Sequence, residues 1–177
     1  MKTFNALLAA AMIAAVYSTA EAEAAPKEVV NELSAPQLQG KHTARFWGFR
    51  LFNAELWTSK PGKFSFDQQF ALTLRYLYPF SREVLARSSV EEIARVEGGL
   101  PEKFAKLESQ LKKCLVDVDK GTRITGVAES SNKVAMYVNG RKSCTISYPN
   151  LREQFFGIWL SPTSRDARGA QRLRGAS

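Results

Sequence analysis

Few side chains in this sequence are of the kind that carries catalysis. There is one histidine, His42, and there are two cysteines, Cys114 and Cys144. So few soft ligands cannot build a zinc ribbon or a His-rich metal centre, so neither a metal nor any other cofactor is expected. A lone histidine in a loop is ordinarily an exposed one, although its titration range would suit a pH sensor. The adjacent carboxylates Glu91 and Glu92 fall where a helix start attracts negative charge, and no pair of acids is arranged as a glycosidase needs. A serine elbow and a glycine-rich phosphate loop are also lacking. What remains is apolar and cationic chemistry: aromatic side chains around Trp47, others around Phe155, and 25 Lys+Arg against 17 Asp+Glu. Such residues hold molecules by burial and by charge.

The beginning of the chain reads as an address. Residues 1–24 carry Lys2, an apolar run from Ala6 to Val16 and small residues ending in Ala22-Glu23-Ala24, the pattern of a secretory signal peptide cleaved after Ala24 or, second choice, after Ala22. The apolar run is too short to cross a bilayer, which takes about 20 helical residues. A periplasmic or secreted protein is therefore expected. Removing Lys2, Glu21 and Glu23 leaves 24 Lys+Arg against 15 Asp+Glu, a net charge of +9. In an exported protein with its charges spread along the chain, this excess suits anionic lipid or envelope polymer better than nucleic acid. Export also permits a Cys114–Cys144 disulfide. Whether the two Cα atoms come within about 7 Å is left open by the sequence.

The remaining 150 or so residues suffice for one domain with a real core. Residues 25–39 lack a sustained period and read as a loose lead-in, so the folded part is placed at 40–177. From Thr43 to Trp57 the chain is rich in aromatic and aliphatic residues with Gly48 in the middle, as in one long bent strand or two short ones. Phe70, Leu72, Leu74 and Tyr76 alternate with more polar neighbours, the mark of a strand with one buried face. Ser81 can cap a helix, and Ser89 with Glu92 forms a capping box for another, ended by Gly98-Gly99. Pro101 then opens a helix with Phe104, Leu107, Leu111 and Leu115 on one stripe. Strands return over 116–127, interrupted by an Asp119-Lys120-Gly121 turn, and over 133–138, and Asn139-Gly140 marks a tight hairpin. Leu151, Phe155, Ile158 and Trp159 form a last strong helical face, and Thr163 or Ser164 is placed as the cap of a short arginine-rich helix. Strands in the first and third parts of the chain with helices between them predict an α+β domain in which helices cover one face of a sheet.

Taken together, "WGFRLFNAELW" from Trp47, "FALTLRY" from Phe70, "SVEEIAR" from Ser89, "DKGTRITGV" from Asp119, the hairpin at Asn139 and "FFGIWLSPTS" from Phe155 resemble the bacterial chalcone isomerase-like proteins. The resemblance runs from about Gly40 to Gly175. It implies an open-faced β-sandwich, a large antiparallel sheet covered by a helical layer, with a ligand held between the two. Plant members of that family close a chalcone into a flavanone without a cofactor, others bind fatty acids, and bacterial members are usually regarded as lacking the isomerase activity. The resemblance further implies that Arg45 stands for the arginine that holds a carboxylate or phenolate, a task suited to a permanently charged, bidentate guanidinium. Tyr76 is its candidate hydroxyl partner. The expected function is non-catalytic binding of a fatty acid or similar amphipathic carboxylate. A cofactor-free isomerase acting on an enone and a ligand-free structural module with a cleft filled by Trp47, Phe70, Phe155 and Trp159 are the alternatives.

Overall fold

The computed structural model describes residues 24–175. The expected signal peptide lies, but for Ala24, outside the described residues. Six strands form one antiparallel sheet: β1 (Gln37–Phe46), β2 (Phe49–Thr58), β3 (Phe70–Tyr76), β4 (Arg123–Ser130), β5 (Lys133–Val138) and β6 (Arg141–Ser147). Their order in the sheet is their order in the chain. Helix α1 (Lys27–Glu32) precedes the sheet, α2 (Arg82–Glu97) and α3 (Ala105–Cys114) fill the connection from β3 to β4, and α4 (Leu151–Leu160) and α5 (Ala167–Leu173) follow it. This is the expected α+β, chalcone isomerase-like open-faced sandwich.

The main core lies between the sheet and α2 to α5. Phe70, Leu72, Leu74 and Tyr76 all point into it, as their alternation predicts, and meet Val90, Ile93, Leu107, Leu111, Phe156 and Leu160. The intervening Ala71 and Thr73 are buried as well, because α1 covers part of the opposite face. There Val29 and Leu33 pack with Trp57, Ala71, Val127, Ala135 and Tyr137 in a second, smaller core.

The segment read as a loose lead-in is thus a docked helix running into an edge strand. Its period is invisible because α1 is six residues long, and its anchor is polar. Buried Glu28 accepts hydrogen bonds from Arg123 at Nε (2.8 Å) and Nη2 (2.9 Å) and from the Thr125 hydroxyl (2.8 Å). Burial alone would raise the Glu28 pKa, but these donors and its own backbone N–H outweigh that and hold it below the ordinary carboxylate value. One helical turn further along α1, Glu32 accepts from the Tyr137 hydroxyl.

Three other expectations are refined. The 43–57 segment is two strands folded about Trp47-Gly48. Ser89 does not start a second helix: it lies inside α2 and donates its hydroxyl back to the Leu85 carbonyl at 2.8 Å, while Ser81 is the cap and left-handed Gly98 the stop. Asp166, not Thr163 or Ser164, caps α5 by accepting from the Gly169 N–H at 2.8 Å. The bridge left open by the sequence is formed, joining Cys114 at the end of α3 to Cys144 on edge strand β6 across a Cα separation of 5.4 Å.

Candidate functional site

Where β1 to β3 pass beneath α2, α4 and α5, the two layers do not close. They leave a cleft of about 430 Å³, within the size range of small-molecule sites. The sheet supplies Ala44, Phe52, Ala54, Leu74 and Tyr76 as its floor. Alternation decides which these are: Ala44 pairs with Phe52, and Phe52 with Tyr76, so all three share the helix-facing side. Phe80, Val84 and Leu85 enter from the segment around the start of α2, and Phe155, Ile158 and Trp159 come from α4. The small side chains of Ala44 and Ala54 opposite this aromatic wall leave space between the layers unfilled.

Polar groups gather at one side of the cleft. Glu92, buried on α2, accepts from Arg95 at 2.6 Å and from Arg165 at 3.0 and 3.1 Å. Burial pushes its pKa up, but the two guanidinium partners prevail and keep it lowered. His42 Nε2 lies 2.6 Å from Asp166 Oδ2. The Asp166 carboxyl is likewise held down: burial raises it, while the Gly169 N–H, His42 and Arg172 lower it by more. Gly169 is required here, since a Cβ would stand 2.5 Å from the His42 ring. The hydroxyls lining the cleft are those of Tyr76, Ser88, Ser89 and Ser164, and no threonine is among them.

Tyr76 therefore sits where the sequence places it, at the end of β3 on the cleft floor. It packs against Phe52 and Phe80 at ring separations of 5.9 and 6.0 Å, and burial pushes its phenol well above the ordinary value, so it stays a neutral donor. Arg45 is elsewhere. Strand alternation turns His42 and Ala44 to the helix side and Arg45 outward, where it is exposed and lines a separate polar groove with Lys41, Thr43, Arg50 and Asn53. The structure does not bring Arg45 and Tyr76 together. The basic side chains lining the cleft are His42 and Arg165. Arg165 reaches Glu92, a partner 73 residues away in the chain that no local sequence signal announces. His42 could have been found from strand parity with Ala44, but no sequence signal announces Asp166, 124 residues on.

The four aromatics of the filled-cleft alternative do not fill the cleft. Trp47 stands at the β1–β2 turn, Phe70 packs on Phe156 at 4.8 Å, and Phe155 and Trp159 pair at 5.4 Å as one wall. Among the described residues no group of three or more His, Cys, Asp or Glu could hold a metal ion.

No protein-family model and no curated protein matches the sequence. A match exists among solved structures: the crystal structure of a fatty-acid binding protein of Arabidopsis thaliana superposes with a TM-score of 0.62, covering 80% of this chain and 88% of that one at 8% identity. At that identity the likeness is one of fold.

Proposed function

We propose that this chain is an exported binding protein that holds an amphipathic carboxylate, a fatty acid or a molecule of that shape, between its sheet and its helices. The observation that carries the reading is the open apolar cleft itself, in a fold that a fatty-acid binding protein shares. The tail would lie along Ala44, Phe52, Ala54 and Leu74 beneath Phe155 and Trp159. The head group would face His42 and Arg165, with the neutral Tyr76 phenol as a donor on the floor. The role first assigned to Arg45 falls to Arg165 in this scheme, because only the latter borders the cleft. Export rests on the signal-peptide pattern at residues 1–24.

Displacement of a fluorescent fatty-acid analogue by dodecanoate tests the proposal. Ala44→Trp on the sheet and Ser88→Trp on the helix rim each put a large ring into the cleft from a different wall, and circular dichroism checks that both remain folded. Saturable binding that weakens at least about tenfold in both folded variants is expected, the loss of roughly 1.4 kcal/mol of burial or more. Absence of binding to the wild type, or indifference of both variants, refutes the assignment. For export, N-terminal sequencing of the mature protein should begin at Ala25, or at Glu23 if cleavage follows Ala22.

A further inference from the structure

The hairpin joining β1 to β2 is built in a way that its own stability does not ask for. Its central residues Trp47 and Gly48 have φ of 50° and 83°, and those of the β5–β6 hairpin, Asn139 and Gly140, have 48° and 85°. The two turns thus share the left-handed φ pair of the tightest hairpins, for which Asn-Gly is the favoured sequence. At the first hairpin a tryptophan occupies the position that suits asparagine, at a steric cost no glycine or asparagine would carry. It gains no burial in return: Trp47 is 86% exposed, flanked by Phe46 at 61% and Phe49 at 67%. Immediately behind these rings stand Arg45 and Arg50, paired with each other across the hairpin and both exposed. Neither arginine enters an ion pair with another described residue, and Arg75, also exposed, lies further along the same face.

We infer that this hairpin tip is a membrane-docking finger, and that its partner is the interface of an anionic lipid bilayer. Aromatic rings with an apolar body favour the headgroup boundary, and arginines one residue behind them reach the phosphates. The protein's net charge of +8 draws the whole molecule toward the same surface. Area argues against a protein partner. At 150–250 Å² per aromatic side chain, the exposed parts of the three rings offer roughly 300–500 Å², below the ~800 Å² per partner of a stable protein interface. Among the described residues no helix is long and apolar enough to cross a membrane, so the contact is peripheral. Leu51 and Phe52, directly after the tip, line the cleft, so docking would bring the cleft's β1–β2 end toward the lipid. The docking inference does not depend on what the cleft binds.

The purified protein is sedimented with phosphatidylcholine vesicles, with or without about 30% phosphatidylglycerol. We expect partitioning into the anionic vesicles that falls with added salt, and quenching of tryptophan fluorescence by brominated acyl chains. Trp47→Asn is the deciding variant, because it installs the better turn residue. A purely structural tryptophan predicts equal vesicle binding with equal or higher melting temperature, whereas a docking tryptophan predicts equal or higher melting temperature with binding reduced at least about tenfold and quenching lost. Replacing Arg45 and Arg50 by glutamine should cost about fivefold each on anionic vesicles only. The inference is overturned if the wild type does not partition into anionic vesicles, if Trp47→Asn binds them as well as wild type, or if the tip instead proves to join two copies in a dimer that Trp47→Asn dissolves. A result in which vesicle binding is lost on Trp47→Asn while dodecanoate still binds sustains both readings independently.

Discussion

A homologous series of fatty acids offers a quantitative probe of the cleft. Its volume of about 430 Å³ corresponds to some 14 molecules of liquid water at about 30 Å³ each. A methylene group takes up about the same space, so a chain of roughly 14 carbons fills it. Full burial of one methylene is worth about 0.8 kcal/mol, and the partial burial typical of larger ligands is nearer 0.3 kcal/mol per atom. Between octanoate and dodecanoate, four added methylenes should therefore tighten binding by about 8-fold to 200-fold. Beyond tetradecanoate the curve should flatten, since further carbons remain in water. The assay is competitive displacement at each chain length, kept below micelle-forming concentrations, with the methyl ester of dodecanoate as a head-group control. Loss of the negative charge in the ester should weaken binding, and Arg165→Gln should remove that difference. An affinity independent of chain length would refute the reasoning, because it would mean that the tail is not buried between the layers. So would a series that goes on tightening steadily to eighteen carbons, because the stated volume would then not set the limit.

Three further outcomes follow from the geometry. Replacing both Cys114 and Cys144 by alanine opens a loop of 30 residues, which chain entropy values at about 3.6 kcal/mol; for a domain of this size that is a fall in melting temperature of about 11 °C by calorimetry, and a fall of less than a few degrees would contradict it. Gly40→Ala would set a Cβ 2.2 Å from the Arg172 carbonyl oxygen and 2.5 Å from that of Leu173, so it should push α5 from the sheet edge, cost on the order of 2 kcal/mol and weaken dodecanoate binding, since Gly169 and Leu173 border the cleft; thermal melting and displacement together check this. Glu28, Glu92 and Asp166 all have lowered pKa values, so between the folded values and the ordinary 4.5 of a glutamate the unfolded chain binds more protons than the folded one. Stability should then be fully present above that value and fall as pH drops through the folded values, by up to about 1.4 kcal/mol per pH unit for each carboxyl; urea titrations at stepped pH should show a shallower acid slope for a folded Glu28→Gln variant.

The sheet and the helical layer were legible because their signals are local. Alternation at 70–76, the Asn139-Gly140 turn and the three-and-four spacing of Phe104, Leu107 and Leu111 each report what a few neighbouring residues do. The first strand pair was half legible: aromatic content marked it as strand, but Trp47-Gly48 does not look like a turn, since tryptophan is a poor turn residue. Helix α1 was illegible because its hold on the sheet is a Glu28–Arg123 ion pair across 95 positions, which leaves no periodic trace. The cleft followed the same rule. Parity within one strand puts Tyr76 on the cleft floor. Arg45 was placed by likeness to a family pattern, and strand parity, which turns it away from Ala44, overrules that likeness. The polar rim of Glu92, Arg165, His42 and Asp166 comes from elements brought together only by the tertiary fold.

The up-and-down strand order also has a consequence for how the chain assembles. With every strand beside its predecessor, β4, β5 and β6 can zip from hairpin to hairpin over short loops and β1 can fold onto β2, while β3 and β4 meet only across the connection that holds α2 and α3; the local pairings favour rapid formation. Helix α1 is the exception: its ties to Arg123, Thr125 and Tyr137 span 95 to 105 positions, so it has nothing to dock on until β4 and β5 are in place. It should latch last, as a clasp fastened over a nearly finished domain. Glu28→Gln would then hasten unfolding in stopped-flow experiments while leaving the refolding rate almost untouched.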